Sequence, residues 1–337
     1  MIEAHSITVD PKQTPVRLDK YLMDRIEKVS RNIIQKGIDN EMILVNGQKS
    51  KSNYKVRPKD HIQVFYSESD VHDVDVQGED IPLDIRYEDK DLIVLYKPPG
   101  LVVHPGVGNW TGTLVNGLVH YLQKSDLPVM ETNSPDRPCL VHRIDKNTSG
   151  LLVVAKNELA MSGLAKQFFD HSIEREYVAL VWGSPDPEKG TIDAHIGRHP
   201  KDRLKRYVFA DGTQGKHAIT HYEVLEDMYY VSLVKCNLET GRTHQIRVHM
   251  AYKGHPLFND EKYGGQNIVK GTVFTRYKQF VQNCFGIMPR HALHARSLGF
   301  LHPRTGEFMK FETDLPEDMS ELLNKWRHYV EHQKSKL

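Results

Sequence analysis

Apolar residues first recur at helical spacing at Leu18, Tyr21, Leu22 and Ile26, then at Ile33, Ile34 and Ile38. This predicts two short helices, the second capped by Ser30. Ile43-Leu44-Val45, Asn46-Gly47 and Ile62-Gln63-Val64-Phe65 read as a strand, a tight turn and a closing strand. Asn-Gly suits a type I′ turn, whose two central residues both need positive φ. From Glu68 to about Asp80 large apolar residues thin out, so 67–82 reads as an acidic linker between a module at 1–66 and a larger domain at 83–337. That domain opens with the apolar run Leu92-Ile93-Val94-Leu95-Tyr96, stopped by Lys97-Pro98-Pro99-Gly100. A buried strand is expected from Leu151 to Ala155. A helix carrying Ala160, Leu164 and Phe168 on one line and Met161, Ala165 and Phe169 on the next should follow it. Further strands are expected at 174–183, 218–224 and 231–238, then a helix capped by Thr243 and stopped by Gly254 and Pro256. On that helix His244, Arg247 and Ala251 share a face, opposite Ile246 and Met250. A last helix starting at Pro316 presents Met319, Leu322, Leu323, Trp326 and Val330. By pattern alone this is a mixed α and β protein with many strands.

The formal net charge of +1 points to no polyanionic partner, but its distribution is uneven. Residues 1–66 carry twelve Lys/Arg against eight Asp/Glu, whereas 67–91 carry two against ten. A basic face can therefore sit within a neutral total. The helices and loops of 1–66 place Arg17, Lys20, Arg31 and Lys55 among its cations. From 196 to 216, Arg198, Lys201, Arg203, Lys205, Arg206 and Lys216 oppose only Asp202 and Asp211, a loop suited to track phosphates. Either cluster can also be read as a solvated charged surface.

Three widely separated cysteines, Cys139, Cys236 and Cys284, exclude a disulfide framework and a C-x-x-C zinc site. Cys284, His291 and His294 have no recognised zinc-ligand spacing, despite the 19 histidines of the chain. The amino terminus has no basic start with an apolar run, and no apolar stretch reaches the ~18–20 residues that span a bilayer. The expectation is a cytoplasmic protein with no membrane segment, and a monomer.

The densest chemistry lies in His142-Arg143-Ile144-Asp145-Lys146-Asn147-Thr148-Ser149-Gly150. A charged cluster, a Thr-Ser-Gly turn and an abrupt apolar strand put one carboxylate at the mouth of a core. Asp145 is a candidate catalytic acid; the plainer reading is an Asp that organises the turn. A second dense run, Glu239-Thr240-Gly241-Arg242-Thr243-His244-Gln245-Ile246-Arg247, puts a guanidinium on a half-buried helix. Such a group requires an anion, either Asp145 or the phosphate backbone of a bound partner.

The Asp145 run closely resembles the signature of the RluA/RluD-type RNA pseudouridine synthases, most like the RluD branch. The matches continue at Lys97-Pro98-Pro99-Gly100, at Tyr177 and at Arg247. Ile144 stands where the family has leucine, and His291 where it often has glutamine. The segment 17–65, with Arg17-Leu18-Asp19-Lys20-Tyr21-Leu22, Ser30-Arg31, Val45-Asn46-Gly47 and Lys55-Val56-Arg57-Pro58-Lys59-Asp60, resembles an S4 RNA-binding domain. The resemblance implies an α+β fold. A small S4-like module would join a catalytic domain with a long, bent, mainly antiparallel mixed sheet and the site in its central cleft.

The function implied is isomerisation of uridine to pseudouridine in structured ribosomal RNA or a pre-ribosomal particle. The contrasting class is an RNA-binding assembly factor whose catalysis is dispensable. The isomerisation must break the sugar–nitrogen bond, turn the uracil over and form a carbon–carbon bond. It demands neither metal nor redox cofactor. The resemblance assigns Asp145 as the essential catalytic residue, acting on the sugar or on the ring, Tyr177 as the ring stacked on the uracil, and Arg247 as the partner of Asp145. It also assigns Arg143 to filling the space left by a flipped base, a conformation that costs a few kcal/mol. Arg17, Lys20, Arg31, Lys55, Arg198, Arg203 and Arg242 are the expected RNA contacts. Lys97 is expected to shape the sheet edge first and to meet RNA second.

Overall fold

The computed structural model describes residues 2–26, 31–66, 76–106, 109–123, 139–202, 204–272 and 274–335. Ser30, Arg203 and the acidic residues 67–75 lie outside the described residues, as do the side chains of Arg31 and Ile33. The chain forms two compact units, Met1–Asp75 and Val76–Leu337.

In the first unit, strand β1 (Ile2–Thr8), helices α1 (Leu18–Met23) and α2 (Arg31–Asp39), and strands β2 (Ile43–Val45), β3 (Gln48–Lys49) and β4 (His61–Tyr66) follow in order. The strands form one sheet in the order β1-β4-β2-β3. Asn46 and Gly47 adopt φ of 54° and 76°, as the turn chemistry requires, and Asn46 Oδ1 accepts from His61 N at 2.8 Å to fix the register. Leu18, Leu22, Ile34, Ile38, Ile62 and Val64 close the core. Arg17 forks onto fully buried Asp19 through Nε at 3.0 Å and Nη2 at 2.9 Å, so it neutralises a carboxylate of its own unit while remaining partly exposed. Lys20 and Lys55 are exposed.

The second unit contains β5 (Asp84–Glu88), β6 (Leu92–Lys97), α3 (Leu114–Leu122), β7 (Ser149–Ala155), α4 (Glu158–Phe169), β8 (Glu174–Trp182), β9 (Lys189–Arg198), β10 (Arg206–Phe209), β11 (Lys216–Met228) and β12 (Val231–Leu238). After these come α5 (Gln245–Tyr252), α6 (Thr275–Ile287), β13 (Leu293–Leu301), β14 (Phe308–Glu312) and α7 (Glu317–Lys334). A ten-stranded sheet runs β10-β9-β11-β12-β8-β13-β7-β6-β5, with β14 beside β13. Among the described strands, β13 and β7 form the parallel pair; the other neighbours are antiparallel.

Strand alternation explains the layers. Val178, Leu180 and Trp182 of β8 join Tyr277, Val281 and Cys284 of α6 and Leu322, Leu323 and Trp326 of α7 in one core. Tyr177 and Arg175 therefore point to the opposite face. Leu151, Val153 and Ala155 of β7 pack against Ala160, Met161 and Leu164 of α4 in a second core. The parallel seam demands Gly150: at its φ of 118° a Cβ would fall 2.1 Å from the Ala295 carbonyl oxygen.

Two expectations differ from the structure, and one segment for which the sequence suggested no element is a helix. The stretch 196–216 forms a hairpin in which Arg198 pairs with Arg206, rather than an open loop, because Ile196 and Val208 are buried in a small core with Ala218 and Val248. The segment 275–287 is helix α6. Residues 76–82 run beside α3, where Glu79 N donates to Asn116 O at 3.0 Å and Asn116 Nδ2 to Gln77 O at 2.8 Å. No helix among the described residues is long and apolar enough to cross a membrane.

Candidate active site

Five consecutive residues leading into β7 are held by three parts of the second unit: α5, β6 and the segment 290–294. The Asp145 carboxylate accepts from Arg247 Nη1 at 2.9 Å. The Lys146 carbonyl accepts from Lys97 Nζ at 3.0 Å, an ammonium that also donates to the carbonyls of Pro98 and Leu101. The Asn147 carbonyl accepts from Arg290 Nη1 at 2.9 Å, and Arg290 in turn forks onto Asp318. Thr148 Oγ1 lies 2.9 Å from His291 Nε2, and Ser149 Oγ 3.0 Å from His294 Nδ1. The turn itself is closed by backbone, Thr148 N donating to Asp145 O at 3.0 Å. The Asp145 side chain is thus not the organiser of its turn and faces the cavity.

Arg247 stands between two carboxylates. Its Nε and Nη2 fork onto buried Asp260 at 2.7 and 2.9 Å, leaving Nη1 for Asp145. Its guanidinium lies 5.1 Å above the Tyr263 ring. Burial opposes its charge, but the two carboxylates outweigh burial and raise its pKa. Burial alone would raise Asp145, yet the surrounding cationic groups hold its carboxyl below the ordinary range. His244 Nε2 is 3.9 Å away, but burial pushes His244 down to about 4 and His291 to about 3. Both imidazoles are neutral at pH 7, so Arg247 is the charge that keeps Asp145 ionised there.

Helix α5 does not begin as its sequence predicts. His244, in a left-handed conformation, occupies the cap position with no side-chain bond, and Thr243 is not the cap. The Gln245 carboxamide oxygen instead accepts from Arg242 N at 2.9 Å and Thr240 Oγ1 at 2.8 Å. The side-chain partner within reach thus came from tertiary packing. His244 Nδ1 is left 2.7 Å from the Tyr263 hydroxyl.

A cavity with about 440 Å³ of open space is lined by Arg143, Asp145, Tyr177, Arg242, His244 and Arg247, among others. Tyr177 is paired on β8 between Cys236 and Ala295, and burial raises its pKa, so it faces the cavity as a neutral phenol. Arg143 is exposed at the rim, its Nη1 3.0 Å from His104 Nε2. Five sequence-predicted residues therefore meet at one cavity. Arg198 is exposed on β9 outside that lining, and Arg17, Lys20 and Lys55 belong to the first unit. Cys284 is buried in the apolar core with its thiol pushed up to about 12, while His291 and His294 face the anchored turn.

Residues 91–252 match the family model for RNA pseudouridylate synthase, and residues 16–62 match the S4 domain. An RNA pseudouridine synthase of Chlorobaculum parvum is 45% identical over 323 residues, covering 96% of this chain and 97% of that protein. The chain belongs to the RNA pseudouridine synthase family. The ribosomal large subunit pseudouridine synthase D of Nitrosomonas europaea is 40% identical, with 96% of this chain and 88% of that one covered. Among solved structures, human RNA pseudouridylate synthase domain containing 4 superposes with a TM-score of 0.55 at 25% identity, over 72% of this chain and 93% of that one.

The protein is thus an RNA-binding isomerase carrying an S4 domain and a pseudouridine synthase domain. Sequence reasoning about this synthase did not find Asp260, which takes two of the three guanidinium nitrogens of Arg247. The available signal was an acid two residues after the apolar run Pro256-Leu257-Phe258, thirteen residues beyond a guanidinium already known to need an anion. It also passed over Arg175, which lies on the Tyr177 face of β8 and lines the same cavity.

Proposed function

We propose that this synthase isomerises specific uridines of large-subunit ribosomal RNA, with Asp145 as the catalytic residue. The observation that carries the reading is one ionised carboxylate held by a guanidinium at 2.9 Å, in a cavity that also presents a neutral phenol. The ribosomal substrate rests on the large-subunit synthases among the relatives and on the S4 domain. In this reading Asp145 acts at the sugar–base junction, and Arg247 keeps it charged when the flipped nucleotide excludes water. Tyr177 stacks on the uracil, and Arg143, at the rim, fills the space the base leaves in the stem. Lys20, Arg31, Lys55, Arg198, Arg203 and Arg242 contact the RNA backbone, together with the exposed edge of Arg17.

Pseudouridine mapping across total RNA tests this, in cells lacking the gene and complemented with wild type or Asp145→Asn. Sites in large-subunit RNA should vanish on deletion and return only with wild type. Recovery of those sites by Asp145→Asn would remove Asp145 from catalysis. Normal growth with the variant, in cells that need the protein, would indicate an assembly role independent of catalysis.

A further inference from the structure

A second cavity, with about 1130 Å³ of open space, adjoins the first and shares with it Arg143, Arg175, Gly241 and Arg242. Its remaining lining includes His142, Phe168, Phe169 and His171, and no carboxylate. His142 is neutral, pushed down to about 3 by burial and by Arg175. Two features of this cavity are not fully explained by contacts within the protein.

The first is Arg175, only 7% exposed. Its Nη2 donates to the carbonyls of Leu238 at 3.3 Å and Glu239 at 2.9 Å, and its guanidinium lies 5.4 Å from the Phe168 ring centre. Its Nε is sealed from solvent and meets no acceptor. Among the described residues no carboxylate pairs with it, unlike Arg247 with Asp260 or Arg290 with Asp318. A buried guanidinium left without an anion is costly, because carbonyl dipoles offset only part of its lost hydration. The second is Phe169, at the end of α4, a residue 83% exposed that lines the same cavity.

Arg175 and Tyr177 are two residues apart on one strand face, so their side chains stand about 7 Å apart. A strand whose uridine enters the first cavity on Tyr177 must lead its backbone past Arg175. We propose that Arg175, with Arg143 and Arg242, binds the phosphodiester joining the target uridine to its neighbour, and that the neighbour's base stacks on Phe169. The cavity is then a subsite for the flanking nucleotide, and Arg175 gains its anion only when RNA is bound. This rests on the ribosomal RNA reading above.

The test uses the full-length enzyme and synthetic stem-loop RNAs carrying a uridine that wild type converts. One set has a single neutral methylphosphonate on either side of the target, and another has an abasic neighbour. Removing one phosphate charge should cost wild type about tenfold in kcat/KM, in the range of a charged hydrogen bond. Arg175→Met should lose about as much on native RNA and be indifferent to the methylphosphonate at one of the two positions, a non-additive cycle. Phe169→Ala should lose about fivefold on native RNA, within the range for a stacked base, and nothing more on the abasic RNA. Losses for Arg175→Met that multiply with the methylphosphonate at both positions would confine Arg175 to bracing the 238–239 backbone and overturn the phosphate site. Should Arg175→Met fail to fold, Phe169→Ala decides: a loss of the same size on abasic RNA overturns the subsite. If wild type converts no ribosomal uridine, the functional reading fails instead, whatever these variants do.

Discussion

Arg247 shows how one side chain can set the charge of another. Its three nitrogens are divided between a permanent partner, Asp260, and a working one, Asp145. Replacing it with methionine strips buried Asp260 of its guanidinium and half-buried Asp145 of its ion pair, and we expect about 3–5 kcal/mol of lost stability. The pKa of Asp145, now held below the ordinary range by His244, Arg247 and His291 against burial, should then rise, because the permanent charge among those groups is gone. The acid limb of the pH–rate profile moves up accordingly; an unmoved limb would mean Arg247 does not set that charge. Tyr177→Phe tests a different atom. The ring survives, so RNA affinity should hold, while kcat falls about a hundredfold if the hydroxyl carries the ring proton. A rate within twofold of wild type would leave stacking as the whole contribution of Tyr177.

At the scale of elements, the residues after Asp145 are clamped by groups from β6, the 290–294 segment and α5. Lys97→Met removes the ammonium from three carbonyls. Since a displacement of about 1 Å in a catalytic group can cost about a hundredfold, kcat should fall by that order with KM little changed. Wild-type kcat in this variant would show that the turn holds itself. The elements themselves were unevenly legible. The alternation in β8, the Asn46-Gly47 turn and the apolar run of β7 are local signals that tertiary packing reinforces. Helix α6 sends Tyr277, Val281 and Cys284 into the core opposite the Tyr177 face of β8; their i, i+4, i+7 spacing is helical, but Phe280, Phe285 and Ile287 beside them blur the stripe. Thr243 had the right chemistry for a cap, yet His244 holds that position, and the Gln245 side chain that ties down the preceding loop is itself fixed by β11. Asp145, Tyr177 and Arg247 could be picked out as candidates one at a time. Their convergence could not be derived from periodicity, because it depends on strand order.

The whole molecule stores several neutral imidazoles. Burial pushes His142 and His291 down to about 3, and His244, His249 and His294 to about 4. In the unfolded chain the same groups take protons near pH 6.5. The unfolded state therefore binds more protons between about pH 6.5 and 4, and stability should fall as the pH drops through that window. Asp145 and Asp260, held below the ordinary range, extend the loss further into acid. The urea midpoint should decline steadily from pH 7 to pH 4.5; a flat midpoint would mean the imidazoles accept protons without unfolding.

The clamp on the 145–149 turn also has a consequence for the order in which the protein is made. His291 and His294 lie 143 and 145 residues downstream of the hydroxyls they hold, and Arg290 is itself fixed by Asp318. A growing chain that has already exposed Asp145, Tyr177 and Arg247 from the ribosome has only Lys97 and Arg247 to hold the turn. Translation must pass Asp318 before the clamp is complete, so shorter nascent or truncated products that carry every catalytic residue are expected to be impaired toward the RNA of the machine that is making them.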